Sequence, residues 1–573
     1  MWFDKLFLFL RGMFIHKKIG VLFIVFSLLL SAYSFSQEYR NSGFIKPMNL
    51  PFNLAGSFGE PRPDHFHSGI DIKTNGVEGQ PVFAIGDGYI SRIRVSPYGY
   101  GRAIYITHTN GFTSVYGHLS KFYGAIEKYI HAQHYAQKKS ELDLTLDATI
   151  FPVKQNDMIA FSGNTGGSTA PHLHFEIRNT KTEHALNPLD FYPKEFYADT
   201  IPPNIDAVFI CGYNTSFYNN SSCIVKYRIP DTIYKNLLFI DAEQDNFFIK
   251  VDGFDKQDSS TSKNGIYKIT LHNNTNKIWF EYTMNEIDFD KTRMCNAFVD
   301  YYAMTHNIGY YYNCFKFPKN TLTIFNNVVN NGVIKLDDIL NDTIYIDCFD
   351  YNSNKTTIKI KFIKTEKTNK FDRFYPEDTL SLNNIVPKLF NIQLDESMFY
   401  DNVKLNVNYI KKEKNELSDK AIIDALRRIP LHKPAKIEFK SSIKKNRNKI
   451  VIVRQDNKGK ETALKTTFDK IKFYAETKEL GTFYLKHDTT KPTVEILNPD
   501  SEIITIKIID NLSGLDTYNG YIDNKWVNFY YDAKNDLLQY HFDEYCIKGE
   551  HILKIVVTDK VGNKNTITKK FTY

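Results

Sequence analysis

Residues 81–119 constrain the fold more than any other part of the chain. "PVFAIGDGYISRIRV" and "GRAIYITHTNGFTSVYGHL" alternate apolar and polar residues between Gly, Asn and Pro. A period of two fits half-buried antiparallel strands joined by tight turns and does not fit a helix. The alternation returns in "STAPHLHFEIR", residues 168–178. Successive side chains of an extended chain turn to opposite faces, so His172 and His174 share one face while Leu173 and Phe175 share the other. One face is apolar and the other carries chemistry.

A chain of 573 residues, 42% apolar and 15% aromatic, is long enough for three or four domains and can bury several cores. Residues 37–198 hold nearly all the glycine-turn and histidine signals and read as one β-rich domain. Within it "FYGAIEKYIHAQHYAQKKSELD", from Phe122, lacks turn residues after Gly124 and predicts a helix that interrupts the strands. From Asp199 onward an internal repeat appears. "DTIPPNIDAV" at Asp199 resembles "DTTKPTVEIL" at Asp488, and "DYNSNKTTIKIKF" at Asp350 resembles "DKVGNKNTITKKF" at Asp559. Two copies that open and close alike predict Ig-like β-sandwich modules at 199–363 and 488–573, although no Cys…Trp…Cys framework is present. The block 364–487 reads as a β-rich module of uncertain type, with a helix expected at "SDKAIIDALRRI" and strands at "NKIVIVRQD" and "KIKFYAET". The expected fold class is therefore mostly β.

"HKKIGVLFIVFSLLLSAYSFSQ" has the order of an export signal: basic Lys17 and Lys18, an apolar stretch from Ile19 to Ala32, and Ser34 and Ser36 before a cleavage at Gln37. Residues 1–36 are read as a signal peptide, with an uncleaved membrane anchor as the competing reading. The apolar stretch is short of the ~20 residues a span prefers. All six cysteines lie beyond residue 200 without a CxxC pair, so an exported chain is expected to form one or two disulfides rather than a cysteine metal site. A net charge of +7, not gathered into a basic run, argues against a nucleic-acid partner.

Upstream of the paired histidines, "HFHSGIDIK" places His67 four residues before Asp71. Zinc takes about four nitrogen, oxygen or sulfur ligands, and a catalytic site keeps one position for water. His67, Asp71 and one of the paired histidines would supply three ligands. The other strand histidine and His118, in "SVYGHLS", are the candidates for moving the water's proton and steadying the oxyanion.

"HSGID", "GDGYI", "GYGRAIYITHTNGFTSVYGHLS" and "SGNTGGSTAPHLHFEIR" occur in the order found in the lysostaphin-type, or LytM-like, zinc peptidases, which this chain resembles over residues 50–190. The resemblance implies the duplicated hybrid motif fold for the N-terminal domain and cleavage of peptide stems or cross-links of bacterial peptidoglycan. It implies one zinc ion held by His67, Asp71 and His174, with His118 and His172 as the catalytic pair. The export signal places the mature protein in the periplasm or cell envelope, or outside the cell, where the C-terminal modules could meet an envelope protein partner. A non-catalytic envelope protein that binds peptidoglycan or regulates a wall amidase is the alternative, since the family contains members that have lost ligands. All five positions are kept here. The helical insertion is longer than the usual connection and is expected to border the substrate cleft.

The remaining histidines carry blander expectations. His65 should be a solvated loop residue, His108 should pack or hydrogen-bond within its strand, and His131 and His134 should lie on a wet helical face. "GNTGGST" lacks the lysine of a phosphate loop and reads as turns that shape the cleft wall. The aromatic residues of the C-terminal half read as core.

Overall fold

The alternating segments form strands wherever a neighbour can satisfy their backbone groups. The computed structural model describes residues 42–573 except 214–215, 219–222, 229–236, 242–244, 259, 341, 364–388, 404, 426–428 and 499–501. The signal-peptide reading of residues 1–36 lies outside the described residues. Among the described residues no helix is long and apolar enough to cross a membrane. The chain is mostly β, with a small helical share.

The N-terminal domain is built on one antiparallel sheet. Its strands are β1 (Leu54–Gly56), β2 (Ile70–Lys73), β3 (Gly88–Val95), β4 (Arg102–His108), β5 (Phe112–Leu119), β6 (Leu142–Thr145) and β7 (His172–Asn179), in the spatial order β1-β2-β7-β5-β4-β3-β6. A small sheet of Pro81–Phe83, Met158–Phe161 and Lys121–Phe122 lies beside it. The last strand in sequence, β7, is central in space. Leu173, Phe175 and Ile177 on one of its faces are wholly buried in the core, and His174, Glu176 and Arg178 on the other are buried as well. Both faces of β7 are thus closed to water, one by hydrocarbon and one by paired charges.

The expected interruption is helix α1 (Gly124–Gln137). Ile126, Ile130 and His134 recur at helical spacing and are buried, and Lys138 ends the helix in the left-handed conformation (φ 51°).

Two facing sheets follow in each later part of the chain. Cys223–Arg228, Asn204–Gly212, Asn246–Phe254 and Tyr311–Asn313 form one sheet; Leu237–Asp241, Lys355–Ile363, Thr343–Phe349, Lys268–Asn273, Ile278–Thr283 and Phe325–Val328 form its partner. This pair shares a continuous apolar core with the N-terminal domain, and Glu286–Ile287 pairs with Ala185–Leu186 to extend that domain's sheet. At the C-terminal end, Ile504, Ile506, Leu538 and Tyr540 of one sheet pack on Leu553, Ile555 and Val557 of the other. Cys211 is disulfide-bonded, while Cys295, Cys314, Cys348 and Cys546 are buried free thiols.

The helix expected at "SDKAIIDALRRI" is replaced by a strand, Lys420–Ala425. Ala421 and Ile423 are wholly buried while Ile422 and Asp424 are half-buried, a period of two. Strands Leu405–Ile410 and Gly481–His487 flank it and take its backbone hydrogen bonds, so the neighbours override the helix propensity of a short Ala- and Leu-containing run.

The final sandwich folds back onto the N-terminal domain. Tyr135 of α1 stacks on Tyr545 at 3.7 Å and donates to Asp543, and Trp526 meets Tyr135 edge-on at 5.4 Å. His131 Nε2 lies 3.2 Å from Asp543 Oδ2. The helical face expected to be wet is thus covered: His131 is half-buried against this module, and His134 is buried with Nδ1 donating to the Lys139 carbonyl at 2.7 Å. Tyr135→Ala removes a stacked ring and a hydrogen bond, a loss of roughly 1.4 kcal/mol or one factor of ten. Amide exchange over 124–137 in the full chain should quicken by about that factor. Unchanged exchange would show that the sandwich is held elsewhere.

Candidate metal centre

Strand register assembles the site. β7 lies between β2 and β5, with His174 directly opposite Asp71 on one side and Gly117 on the other. Directly opposite side chains lie ~5 Å apart at Cβ, so the pairing alone brings a carboxylate and an imidazole together. Gly117 leaves room for the ring: a Cβ there would sit 3.3 Å from the His174 Cβ and 3.4 Å from its Cδ2, a tight contact that would press on the imidazole. Gly69 serves the approach of β2, since a Cβ at that position would come within 2.3 Å of the Phe175 carbonyl oxygen.

Three donor atoms converge. His67 Nε2 is 3.0 Å from Asp71 Oδ1 and 3.0 Å from His174 Nδ1, and His174 Nδ1 is 2.8 Å from Asp71 Oδ1. All three residues are buried. The outer atom of each ring is already committed. His67 Nδ1 donates to the Ser57 carbonyl at 2.7 Å, and His174 Nε2 donates to Glu176 Oε1 at 2.8 Å. Both inward nitrogens therefore carry lone pairs, and two lone pairs facing each other at 3.0 Å call for a cation between them. Tetrahedral bonds of ~2.05 Å put ligand atoms ~3.3 Å apart, within about half an ångström of these spacings. The donor set of two imidazoles and a carboxylate fits zinc.

The surroundings fix this set. Asp71 Oδ2 accepts from Arg62 Nη2 at 2.8 Å, leaving Oδ1 to face the histidines. Burial raises the Asp71 pKa, but His67, His172 and His174 outweigh it and hold the carboxyl well below the ordinary range. Glu176, wholly buried, accepts from Ser68 Oγ at 2.5 Å, Tyr100 Oη at 2.6 Å and Arg178 Nε at 2.7 Å. Burial works against its charge too, and Arg178 with His174 overcomes it, so the group stays ionised. Burial lowers the His174 pKa, but the flanking Asp71 and Glu176 carboxylates outweigh it and lift it to about 9.

His118 and His172 stand beside this set. His118 has a left-handed backbone (φ 57°) at the end of β5, and its Nδ1 donates to the Thr165 carbonyl at 2.8 Å. Burial first, then the neighbouring His174 and His172, push its pKa down to about 3 and keep the ring neutral. His172 Nδ1 donates to the Ala170 carbonyl at 2.8 Å, with Ser168 Oγ at 3.2 Å. Its Nε2 is buried without a hydrogen-bond partner, 3.3 Å from Asp71 Oδ1. The two rings lie 4.8 Å apart. Two imidazoles that each hold a backbone carbonyl through Nδ1, next to a cation site, can exchange protons through Nε2 with whatever binds there.

All five residues named from the sequence are brought together. His65 is exposed with Nδ1 on the Pro63 carbonyl, and His108 is buried between the Asp87 carbonyl and Ser114 Oγ. The "GNTGGST" turns hold Thr165 against His118 and Ser168 against His172. Sequence reasoning missed Arg62, Ser68, Tyr100, Glu176 and Arg178. The alternation that paired the two histidines also places Glu176 and Arg178 on their face. The final sandwich reaches the same turns, where Lys534 Nζ donates to the Asn164 and Ser168 carbonyls and the Arg102 guanidinium lies over the Tyr530 ring at 4.8 Å.

A family model described as peptidase family M23 matches residues 65–134, a span that includes His67, Asp71 and His118, and a model described as a Zu5-like domain matches 379–488. An uncharacterized metalloprotease of Haemophilus influenzae is 33% identical over 123 residues, covering 22% of this chain and 20% of its own length. The DD-carboxypeptidase/endopeptidase Mpg of Neisseria meningitidis serogroup B is 35% identical over 112 residues, covering 20% of each chain. Lysostaphin of Staphylococcus staphylolyticus is 31% identical over 134 residues, with 23% of each covered. The chain thus spans about a fifth of the length of the curated relatives it matches.

Glu176→Gln keeps the shape but weakens the grip on His174 Nε2. Losing such an outer partner lowers metal affinity by about 10–100-fold. Zinc retention against a graded competing chelator checks this, and wild-type retention would show that Glu176 does not tune the centre.

Proposed function

This chain carries a peptidase family M23 domain, and from that premise we propose that it is a zinc-dependent endopeptidase cutting peptide bonds in bacterial cell-wall peptidoglycan. The observation that carries the reading is the convergence of His67, Asp71 and His174 on one point, with His118 and His172 beside it. The substrate class rests on the relatives named DD-carboxypeptidase/endopeptidase and lysostaphin. It agrees with the export-signal reading of residues 1–36, which would put the mature chain in the envelope or outside the cell.

His67, Asp71 and His174 would hold the ion. Zinc bound there supplies a Lewis acid for the scissile carbonyl and lowers the pKa of a bound water to about 7. His118 and His172 act on protons at Nε2, because each has Nδ1 committed to a backbone carbonyl. One ring accepts the proton of the attacking water. A ring protonated at Nε2 then donates to the oxyanion or to the departing nitrogen. Thr165 and Ala170 hold the rings by carbonyls that cannot take up a proton, so each imidazole keeps one tautomer through the cycle. Asp71 adds a negative charge 3.3 Å from His172 Nε2 and favours that ring once protonated.

Digestion of purified sacculi, read by muropeptide chromatography, should release peptide-cleaved products and stop with a chelator. His174→Ala should lose both zinc and hydrolysis. His118→Ala should keep zinc while turnover falls by about 10²–10⁴-fold, the share of a general acid or base. Intact sacculi with zinc-loaded wild type would favour the non-catalytic alternative, and wild-type turnover by either variant would refute that residue's role.

A further inference from the structure

Outside the metal centre, two more groups of three carboxylates come together among the described residues. Asp199, Asp255 and Asp350 each offer an oxygen within 4.8 Å of the other two, and so do Asp488, Asp510 and Asp559. The first three are 6%, 3% and 1% exposed. The two groups occupy matching places in the repeated modules, and the asparagine four residues after the last aspartate of each makes the same two side-chain hydrogen bonds. Asn354 Nδ2 donates to the Asp199 carbonyl at 2.9 Å and to Asp350 Oδ2 at 2.6 Å; Asn563 Nδ2 donates to the Asp488 carbonyl at 2.9 Å and to Asp559 Oδ2 at 2.6 Å.

Buried polar atoms at both places lack partners. Asp255 Oδ1 has no hydrogen bond, nor do Asp510 Oδ1 and Ser513 Oγ. Asn264 exchanges two backbone hydrogen bonds of 2.9 Å with Asp255, so the two residues are directly opposite and their side chains share a face. The Asn264 amide is wholly buried, and neither its oxygen nor its nitrogen has a partner. A fold that leaves a carboxylate oxygen and a whole amide unsatisfied in one place forfeits several kcal/mol unless something else binds them. The charges acting on Asp199, Asp255 and Asp510 are those of other aspartates.

We propose that each group of three aspartates is a calcium site, and that the ion locks the joint at which its β-sandwich meets the preceding module. An all-oxygen set suits a hard cation, and calcium accepts six to eight oxygens in flexible geometry, whereas magnesium demands a near-ideal octahedron and keeps several of its waters. The locations explain the locking. Asp255 starts a loop in which Gln257 binds the backbone of Phe52 and Leu54, and Ser260 binds the Leu54 carbonyl at 2.9 Å and Lys73 Nζ at 2.6 Å. Lys73 ends the strand that carries Asp71. At the second place the Asp488 amide donates to the Lys449 carbonyl and Lys449 Nζ donates to the Val561 carbonyl, so this ion would fix the sandwich that rests on the cleft-wall turns.

Burial, with the neighbouring Asp199 and Asp350, pushes the Asp255 carboxyl up to about 9. Asp255→Asn and Asp510→Asn relieve that repulsion at constant shape, so both variants should fold. The full-length protein, loaded with zinc and equilibrated with ~1 mM calcium, the range of extracellular calcium modules, is washed and its metals measured. The expected result is two calcium ions per wild-type chain, one in either variant and none in the double variant, with zinc unchanged throughout. Calcium should also raise the melting temperature of the wild type and leave that of the double variant where it was. No calcium in the wild type, or two in each variant, would overturn the proposal, and magnesium bound as tightly would overturn the choice of ion.

Discussion

The pairing of β7 with β2 and β5 is the constraint on which the N-terminal domain depends. It sets His174 against Asp71 on one side and against Gly117 on the other. A slip of one residue would turn His172, His174, Glu176 and Arg178 into the core and Leu173, Phe175 and Ile177 into the centre. Register is therefore fixed twice, by hydrocarbon burial on one face and by charge pairing on the other. Neither face could move without the other failing.

Burying that much charge needs balance. Arg62 and Arg178 neutralise the outer oxygens of Asp71 and Glu176, while the inner oxygens point at imidazoles. Each arginine comes from the same sheet or the adjoining hairpin, so the countercharge is set by the same register that sets the ligands. Arg62 is also framed by the first sandwich, where Thr292 and Asn296 take the backbone amides of Phe66 and Asp64 and Cys295 donates to the Arg62 carbonyl. The hairpin that leads into His67 is thus held from outside its own domain.

Much of this was legible in the sequence, for physical reasons that differ from place to place. Alternation in residues 81–119 and 168–178 reads directly as strands, because one face must be buried. The insertion after Phe122 reads as a helix because it lacks turn residues. "SDKAIIDALRRI" misleads, since six residues flanked by two strands obey their neighbours rather than their own propensity. Glu176 was visible by the same alternation as His174 but is no metal ligand, and its role appears only once Tyr100 and Ser68 are seen around it. The repeat discloses the first and last member of each aspartate group. The middle member is hidden, because Asp255 lies 56 residues after Asp199 whereas Asp510 lies 22 after Asp488.

The contact of Lys534 with the turns at Asn164 and Ser168 spans 366 residues of sequence. Made from the N-terminus at ~5–20 residues per second, the chain completes the metal-binding strands roughly 20–70 s before the lysine that braces those turns exists. The nascent domain therefore has an interval in which its cleft wall is unbraced, and the finished protein gains that support last.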